Sequence, residues 1–288
     1  MLFIVSSLLN AATLSNRING ELDVFETKLG NGSLAQKVNN LVNFKARKDV
    51  FYLQVYGRLF NNDFNFLKKF QEDFKELEDT IGQVQKWSDL QERSVSADNI
   101  KSSYSKNQQE SIEKLNLLLK KWEKEKIVQH YRKLVNKIDL NEGETTDLSL
   151  ERIRKETKNI TEKNFDFTYG ETGLHELRRS LRWPVFEFEL FKDLYSVNRT
   201  TNCSSSPNNL FNIGLQESNL VLAYNPKAAK EVDYCSYVKI LGAVELLGQI
   251  KDSLEQQDIL NDKLPKELRK KIESIYNEIV PEVIHKLF

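Results

Sequence analysis

Proline and glycine are scarce in this chain of 288 residues, which contains only 5 Pro and 11 Gly. Proteins built from short strands and tight turns use more of both residues, whereas helix interiors exclude them. Charged residues make up 29% of the chain, which also suits helices. The composition therefore predicts an all-α protein. Its length is enough for one large domain or two small ones.

The chain has no excess of charge of either sign, because 42 basic residues balance 42 acidic residues. A nonspecific nucleic-acid binder normally has a basic excess, so that class of function is not supported. A site for a polyanion would have to come from local segregation of charge.

Long apolar runs and catalytic motifs are lacking as well. The apolar run Leu2–Leu9 is far too short to span a bilayer, so we expect no transmembrane segment. The 3 histidines are too widely spaced for a zinc motif, and there is no glycine-rich phosphate loop or nucleophile motif. We therefore expect no catalytic residue, no metal and no cofactor, which favours a binding protein over an enzyme.

Residues 1–13 resemble the end of a secretory signal, since small residues at Ala11 and Ala12 follow the apolar run. No Lys or Arg precedes that run, and an ordinary buried helix is the alternative. We expect a periplasmic or secreted protein, with a cytoplasmic location as the alternative. In an oxidising compartment Cys203 and Cys235 could form a disulfide that stabilises by roughly 3–4 kcal/mol. In a reducing cytosol they would stay thiols.

Apolar residues at helical spacing divide the chain into two halves, residues 14–140 and residues 148–288. The segment Asp139–Asp147 lacks this periodicity and is the predicted boundary. A Ser- and Asn-rich stretch at 196–232 is predicted to be an irregular insertion, and no strand pairs are expected. The predicted helices are Leu14–Leu29, Leu34–Phe60, Phe64–Leu90, Gln108–Ile138, Leu148–Ile160, Leu174–Phe191, Tyr234–Leu260 and Lys266–Leu287.

The predicted helix Leu174–Phe191 contains the most informative pattern. Its residues His175, Arg178, Arg179 and Arg182 are spaced i, i+3, i+4 and i+7, which places them on one helical face. Like charges at this spacing repel each other, so the stripe suggests an external anion or acids from another helix. A basic stripe is more often just a solvated helix face. Pro184 is predicted to kink this helix.

The chain also contains an internal repeat. Phe44–Phe60 aligns without a gap with His175–Phe191, so that Arg47 matches Arg178 and Lys48 matches Arg179. Downstream, Thr80–Lys86 resembles Leu246–Asp252, and both segments contain Gly-Gln. Two halves of similar order predict a duplicated helical bundle.

These residues resemble the conserved histidine α-helical domain family, known as CHAD. The resemblance rests on His-x-x-Arg-Arg-x-x-Arg at 175–182, Glu-Leu-Phe at 189–191, Leu-Gly-x-x-x-Asp at 247–252 and the repeat. It implies two pseudo-symmetric helical bundles that bind inorganic polyphosphate or a similar polyanion in a basic groove between the halves. The anion contacts that the resemblance implies are His175, Arg178, Arg179, Arg182, Arg47 and Lys48.

The first repeat departs from the family pattern. Phe44 stands where the family has its histidine, and Lys86 stands where it has an acid. The alternative hypothesis is therefore a degenerate structural or protein-interaction module, in which the stripe pairs with acids such as Glu72–Asp79 or with those of a partner protein. A third hypothesis is a regulatory subunit whose polyanion site controls a separate enzyme.

Overall fold

The computed structural model describes residues 13–43, 46–93, 98–198, 203, 208–217, 230–257, 262–280 and 284. Within these ranges the chain is predominantly helical, which confirms the all-α prediction. The predicted leader at residues 1–13 lies, except for Thr13, outside the described residues. The helices are α1 (Leu14–Leu29), α2 (Leu34–Asn43), α3 (Ala46–Phe60), α4 (Phe66–Arg93), α5 (Asp98–Glu125), α6 (Ile127–Val135), α7 (Glu142–Glu162), α8 (Glu176–Leu190), α9 (Leu210–Glu217), α10 (Tyr234–Gln256) and α11 (Lys266–Glu278).

The chain forms two compact units, which we call the N-terminal unit (Ala12–Thr145) and the C-terminal unit (Thr146–Phe288). The division falls inside the segment 139–147, but that segment is not the irregular link that the sequence suggests. Helix α7 begins there because Asn141 and Glu144 form a reciprocal capping box. The backbone N–H of Glu144 donates to Asn141 Oδ1 at 3.0 Å, and that of Asn141 donates to Glu144 Oε2 at 2.9 Å.

Aromatic side chains fill the core of the N-terminal unit. Phe74 packs edge-on against Phe25 and Trp122, with ring centroids 5.7 and 5.2 Å apart. Phe70 packs edge-on against Tyr131 at 4.9 Å. Helices α3 and α4 pack against each other, and α4 packs against α5. These contacts fix the basic helix α3 against its neighbour α4.

One helix predicted as continuous is divided in this unit. The predicted helix Leu34–Phe60 is described as α2 and α3, and residues 44–45 between them lie outside the description. The predicted helix Gln108–Ile138 ends at Glu125, because Lys126 adopts a left-handed conformation with φ 50° and starts a new helix. Helix α5 also begins at Asp98, before the predicted start at Gln108.

In the C-terminal unit, α8 packs on α10, and a π-helical turn at Gly170–His175 leads into α8. His175 therefore lies at the junction of the turn and the helix rather than inside one continuous helix. Pro184 lies inside α8, which remains α-helical on both sides of it. The last helix, α11, ends at Glu278 and is followed by a π-helical Ile279 and Val280; residues 281–283 and 285–288 lie outside the description.

The insertion contains regular structure that the sequence prediction missed. Strand β1 (Tyr195–Asn198) pairs in parallel with β2 (Lys230–Asp233). Helix α9 then packs closely on α10 where Gly214 meets Gly242. This close contact requires glycine because a Cβ on either residue would overlap the backbone of the opposite helix. The apolar segment Asn219–Tyr224 lies outside the described residues.

Candidate functional site

The two aligned arginines, Arg47 and Arg178, lie over glycines of the helix next to their own. A Cβ built on Gly82 of α4 would lie 2.9 Å from Nη2 of Arg47. A Cβ built on Gly248 of α10 would lie 2.9 Å from Nε of Arg178. Each glycine therefore leaves the space in which a guanidinium packs. The glycines are the pair that the sequence repeat aligns.

Both arginines use this position to join two helices. In the N-terminal unit, Arg47 Nε lies 2.5 Å from Oε1 of the buried Glu78. In the C-terminal unit, Arg178 Nε donates a hydrogen bond to the backbone carbonyl of Val244 at 3.2 Å. Glu78 and Val244 each lie four residues before the glycine. Arg47 and Arg178 therefore contribute to helix packing, whatever else they bind.

The lysine of the first repeat, Lys48, has an exposed side chain on α3. Its Nζ lies 5.5 Å from the ring centroid of Tyr52, one helical turn further along. Such a contact contributes about 0.5–1 kcal/mol at an exposed site and leaves most of the ammonium hydrated. Lys48 can meet an anion, but no other predicted site residue except Arg47 belongs to its unit.

Arg179 is the most exposed cation of the second repeat. Its side chain is 47% exposed, and its Nη1 lies 3.8 Å from Oε1 of Glu176. The other oxygen of Glu176 accepts a hydrogen bond from Lys163 Nζ at 2.7 Å. Lys163, with Arg179 as a further cause, holds the pKa of Glu176 below its ordinary value. One acid thus faces two cations, and the excess charge is positive.

Arg182 lies one turn beyond Arg178 on the same face of α8. Its guanidinium carbon lies 5.5 Å from the ring centroid of Phe186, and its side chain is half-buried. The arginine stripe therefore continues along α8 as the sequence spacing predicts. A guanidinium over an aromatic ring gains a cation–π contact in addition to the hydrogen bonds that its N–H groups can donate.

His175 is half-buried, and its Nδ1 is buried without a hydrogen-bond partner among the described residues. Burial is the main cause that lowers the pKa of this imidazole. Glu171 raises it, whereas Lys251, Arg179 and Arg178 lower it further. Burial and these three cations favour the neutral imidazole, against the attraction of Glu171 and Glu176.

Lys251 of α10 lies close to His175 and was not among the residues predicted from the sequence. Its side chain is only 14% exposed, and its Nζ lies 2.7 Å from Glu255 Oε2. Lys251 lies within the Leu-Gly-x-x-x-Asp segment, three residues after Gly248, so the segment itself was the only available signal. We call His175, Arg178, Arg179, Arg182 and Lys251 the α8 patch.

The structure brings the four predicted residues of the second repeat together in one unit. Arg47 and Lys48 belong to the other unit, so the prediction of one groove lined by both repeats stays a prediction. Cys203 and Cys235 form a disulfide, with their Cα atoms 5.4 Å apart. This bond joins the segment before α9 to the first turn of α10.

Comparison of the chain with protein-family models, curated proteins and solved structures finds no match. In the parts of the chain that the structure describes, no helix has both the length and the apolar composition needed to cross a membrane. Across the same residues, no three His, Cys, Asp or Glu side chains are grouped so that they could hold a metal ion.

Proposed function

We propose that this protein binds inorganic polyphosphate or a similar linear polyanion through the α8 patch, without catalysing a reaction. The observation that carries the proposal is the charge around His175. Arg178, Arg179 and Lys251 act on this ring, against the acids Glu171 and Glu176. A bound polyanion would add negative charge to this cluster of cations.

The row of arginines fits the chemistry of phosphate. A guanidinium can donate two parallel hydrogen bonds to phosphate oxygens, and such charge-assisted bonds are about twice as strong as neutral ones. Arg178 and Arg182 are one helical turn apart, which is about 5.4 Å along the axis. A linear anion can therefore contact successive turns of α8. His175 would add a hydrogen-bond donor to this row.

We also infer that the two units descend from one duplicated bundle of the CHAD type. The support is the arginine-over-glycine contact, which occurs in both units at positions that the sequence repeat aligns. The polar partner of each arginine also lies at the same distance from the glycine in sequence, at Glu78 and Val244. A shared packing solution at aligned positions is what duplication predicts.

The experiment is binding of long-chain polyphosphate across a salt series. Wild type is compared with Arg179→Ala/Arg182→Ala, and Lys48→Ala serves as the matched control because Lys48 aligns with Arg179. By the counterion-release relation, loss of two contacts should flatten the slope of log affinity against log salt by about 1.5. The control should leave the slope nearly unchanged. Equal loss in both variants, or no binding by wild type, would refute the proposal.

The second candidate is a structural or protein-interaction module with no polyphosphate binding. The observation that favours it is the use of Arg47 and Arg178 in helix packing. This candidate predicts that wild type does not bind polyphosphate near physiological salt. It also predicts that Arg178→Ala lowers stability, whereas Arg179→Ala does not. The same variants, measured by unfolding, therefore separate the two candidates.

Export to an oxidising compartment is our companion proposal, with a cytoplasmic location as the alternative. The bond between Cys203 and Cys235 supports it, because structural disulfides persist mainly in such compartments. Alkylation of the unfolded, unreduced protein followed by intact-mass measurement tests the proposal. Protein isolated with both thiols alkylated would favour the cytoplasmic alternative.

A further inference from the structure

A polar groove runs between α4 and α5 in the N-terminal unit, separate from every residue discussed above as an anion contact. It encloses about 330 Å³, at the lower end of the range for small-molecule sites. Helix α4 contributes Asp79, Thr80, Gln83 and Trp87, and α5 faces it with four more polar side chains. The groove therefore has one aromatic side chain, Trp87, among polar side chains, and this combination indicates the kind of ligand it could bind.

The hydroxyl and amide groups of the groove can both donate and accept hydrogen bonds. Thr80 Oγ1 donates to the carbonyl of Glu76 at 2.7 Å, and Ser111 Oγ donates to the carbonyl of Asn107 at 2.8 Å. Each hydroxyl oxygen thus keeps lone pairs for accepting. The side-chain amides of Gln83 and Asn107 offer donors and acceptors next to them.

The charges of the groove do not favour an ionic ligand. Asp79 already forms an ion pair with Lys75, and Glu110 lies 4.0 Å from Lys106. These neighbours reduce the attraction for a cation. Lys114 is the one basic side chain that lines the groove, and two carboxylates oppose it. An anion would therefore be repelled, and a neutral ligand is favoured.

The indole of Trp87 forms a wall that is held in position. Its ring centroid lies 5.9 Å from that of Tyr104, and the ammonium of Lys86 lies 5.4 Å from it. Because Lys86 already supplies a cation to this ring, a second cation gains little there. An indole presents apolar surface and one N–H donor, which suits a ligand with both C–H and O–H groups.

We propose that the groove binds a small neutral saccharide. Sugar hydroxyls would donate to Asp79 and Glu110 and exchange hydrogen bonds with Gln83 and Asn107. The C–H face of the sugar ring would lie against Trp87. No charge is needed for this recognition, and it is independent of the α8 patch.

The test uses the full chain and a panel of glucose, galactose, N-acetylglucosamine, maltose and cellobiose. Saturation-transfer NMR and tryptophan fluorescence are measured with each sugar up to tens of millimolar. Trp122 and Trp183 are buried, so a fluorescence change reports mainly on Trp87. We expect at least one sugar to bind, and we expect Asn107→Ala to weaken its Kd about tenfold.

Asn116→Ala is the matched control, because Asn116 lies on the same helix and does not line the groove. It should leave sugar binding unchanged. Trp87→Ala should abolish binding, and the Asn107 variant keeps the test valid if the Trp87 variant does not fold. Three results would overturn the proposal. These are no binding of any sugar, equal effects at Asn107 and Asn116, or groove-dependent binding of spermidine or phosphate with no sugar binding.

Discussion

Helices α3 and α8 have the same length and carry aligned basic residues, but the groups that face the aligned arginines differ. Arg47 pairs with Glu78, and Lys28 of α1 pairs with the buried Asp49 of α3 at 2.5 Å. At the positions aligned with these acids, the C-terminal unit has Val244 and Ser180. The two helices therefore differ in the group beside the aligned arginine: Arg47 lies against the carboxylate of Glu78, whereas Arg178 lies against the backbone carbonyl of Val244.

The close helix contact differs between the units as well. In the N-terminal unit, α3 approaches α4 at Gly57, where a Cβ would lie 2.5 Å from Cβ of Gln71. The aligned residue of α8 is Phe188, which packs edge-on against Tyr237 at 5.7 Å. In the C-terminal unit the glycine contact is instead made between α9 and α10. The insertion thus supplies the closest partner of α10.

The largest expected effect is at this glycine contact. In Gly242→Ala the new methyl group would overlap the backbone carbonyl oxygen of Leu210 on α9. Backbone cannot move aside as a side chain can, so we expect a loss of about 3 kcal/mol in the free energy of unfolding. Urea unfolding measures this loss. Gly20→Ala is the control, because nothing lies within 4 Å of its Cβ and alanine favours helix. An unchanged free energy of unfolding in Gly242→Ala would contradict the close contact between α9 and α10.

The second effect concerns the ion pair of the N-terminal unit. Arg47→Ala leaves the carboxylate of Glu78 buried without this partner, and we expect a loss of about 2 kcal/mol. The expected loss in the free energy of unfolding is smaller than for a fully buried ion pair, because the Arg47 side chain is 39% exposed. Arg178→Ala removes a hydrogen bond to a backbone carbonyl and should cost only about 1 kcal/mol.

A double-mutant cycle of Arg47 with Glu78, measured by urea unfolding, isolates the energy of the pair. The double variant Arg47→Ala/Glu78→Ala should recover part of the loss. A larger loss in the free energy of unfolding for Arg178→Ala than for Arg47→Ala would contradict this ranking of the two arginines.

The third prediction introduces into the C-terminal unit an acid like the one that faces Arg47 in the N-terminal unit. Val244→Glu places a carboxylate at the position aligned with Glu78, beside Arg178. We expect weaker polyphosphate binding, with the salt slope flatter by about 0.8, because one cation of the α8 patch becomes neutralised internally. Val244→Gln has nearly the same shape and no charge, so it is the control. Equal polyphosphate binding by both variants would mean that Arg178 is not part of the binding site.

The smallest effect is a pH dependence at His175. Its pKa in the folded protein is below the ordinary value of 6.5, mainly because of burial and also because of nearby cations. The unfolded chain therefore binds more protons than the folded chain as the pH falls through 6.5, so the C-terminal unit loses stability toward acid pH. Thermal unfolding of wild type and His175→Gln from pH 7.5 to 5.5 measures this slope.

The variant His175→Gln should have a flatter pH profile than wild type. Added polyphosphate should also flatten the wild-type profile, because a bound anion favours the imidazolium. An identical profile in the variant would exclude His175 as the titrating group.

Several helices could be predicted because local residues specify them. Helix α1 has the predicted bounds, since Thr13 caps its first turn and Gly30 ends it with φ 74°. The start of α5 could not be predicted, because its polar first turns are stabilised by α4. Gln91 donates to Ser105 at 3.0 Å and Gln108 donates to Ser88 at 2.6 Å.

The sequence alone determined the helical class and the basic stripe of α8, because both follow from the spacing of residues within one segment. Only the tertiary structure decided which charged groups lie close together, since Arg47 and Glu78 are 31 residues apart and His175 and Lys251 are farther still. Coulomb energy depends on distance through space, and that distance is set by how the helices of each unit pack. Helical periodicity predicts the face on which a charge lies, but not the residue that packs against it.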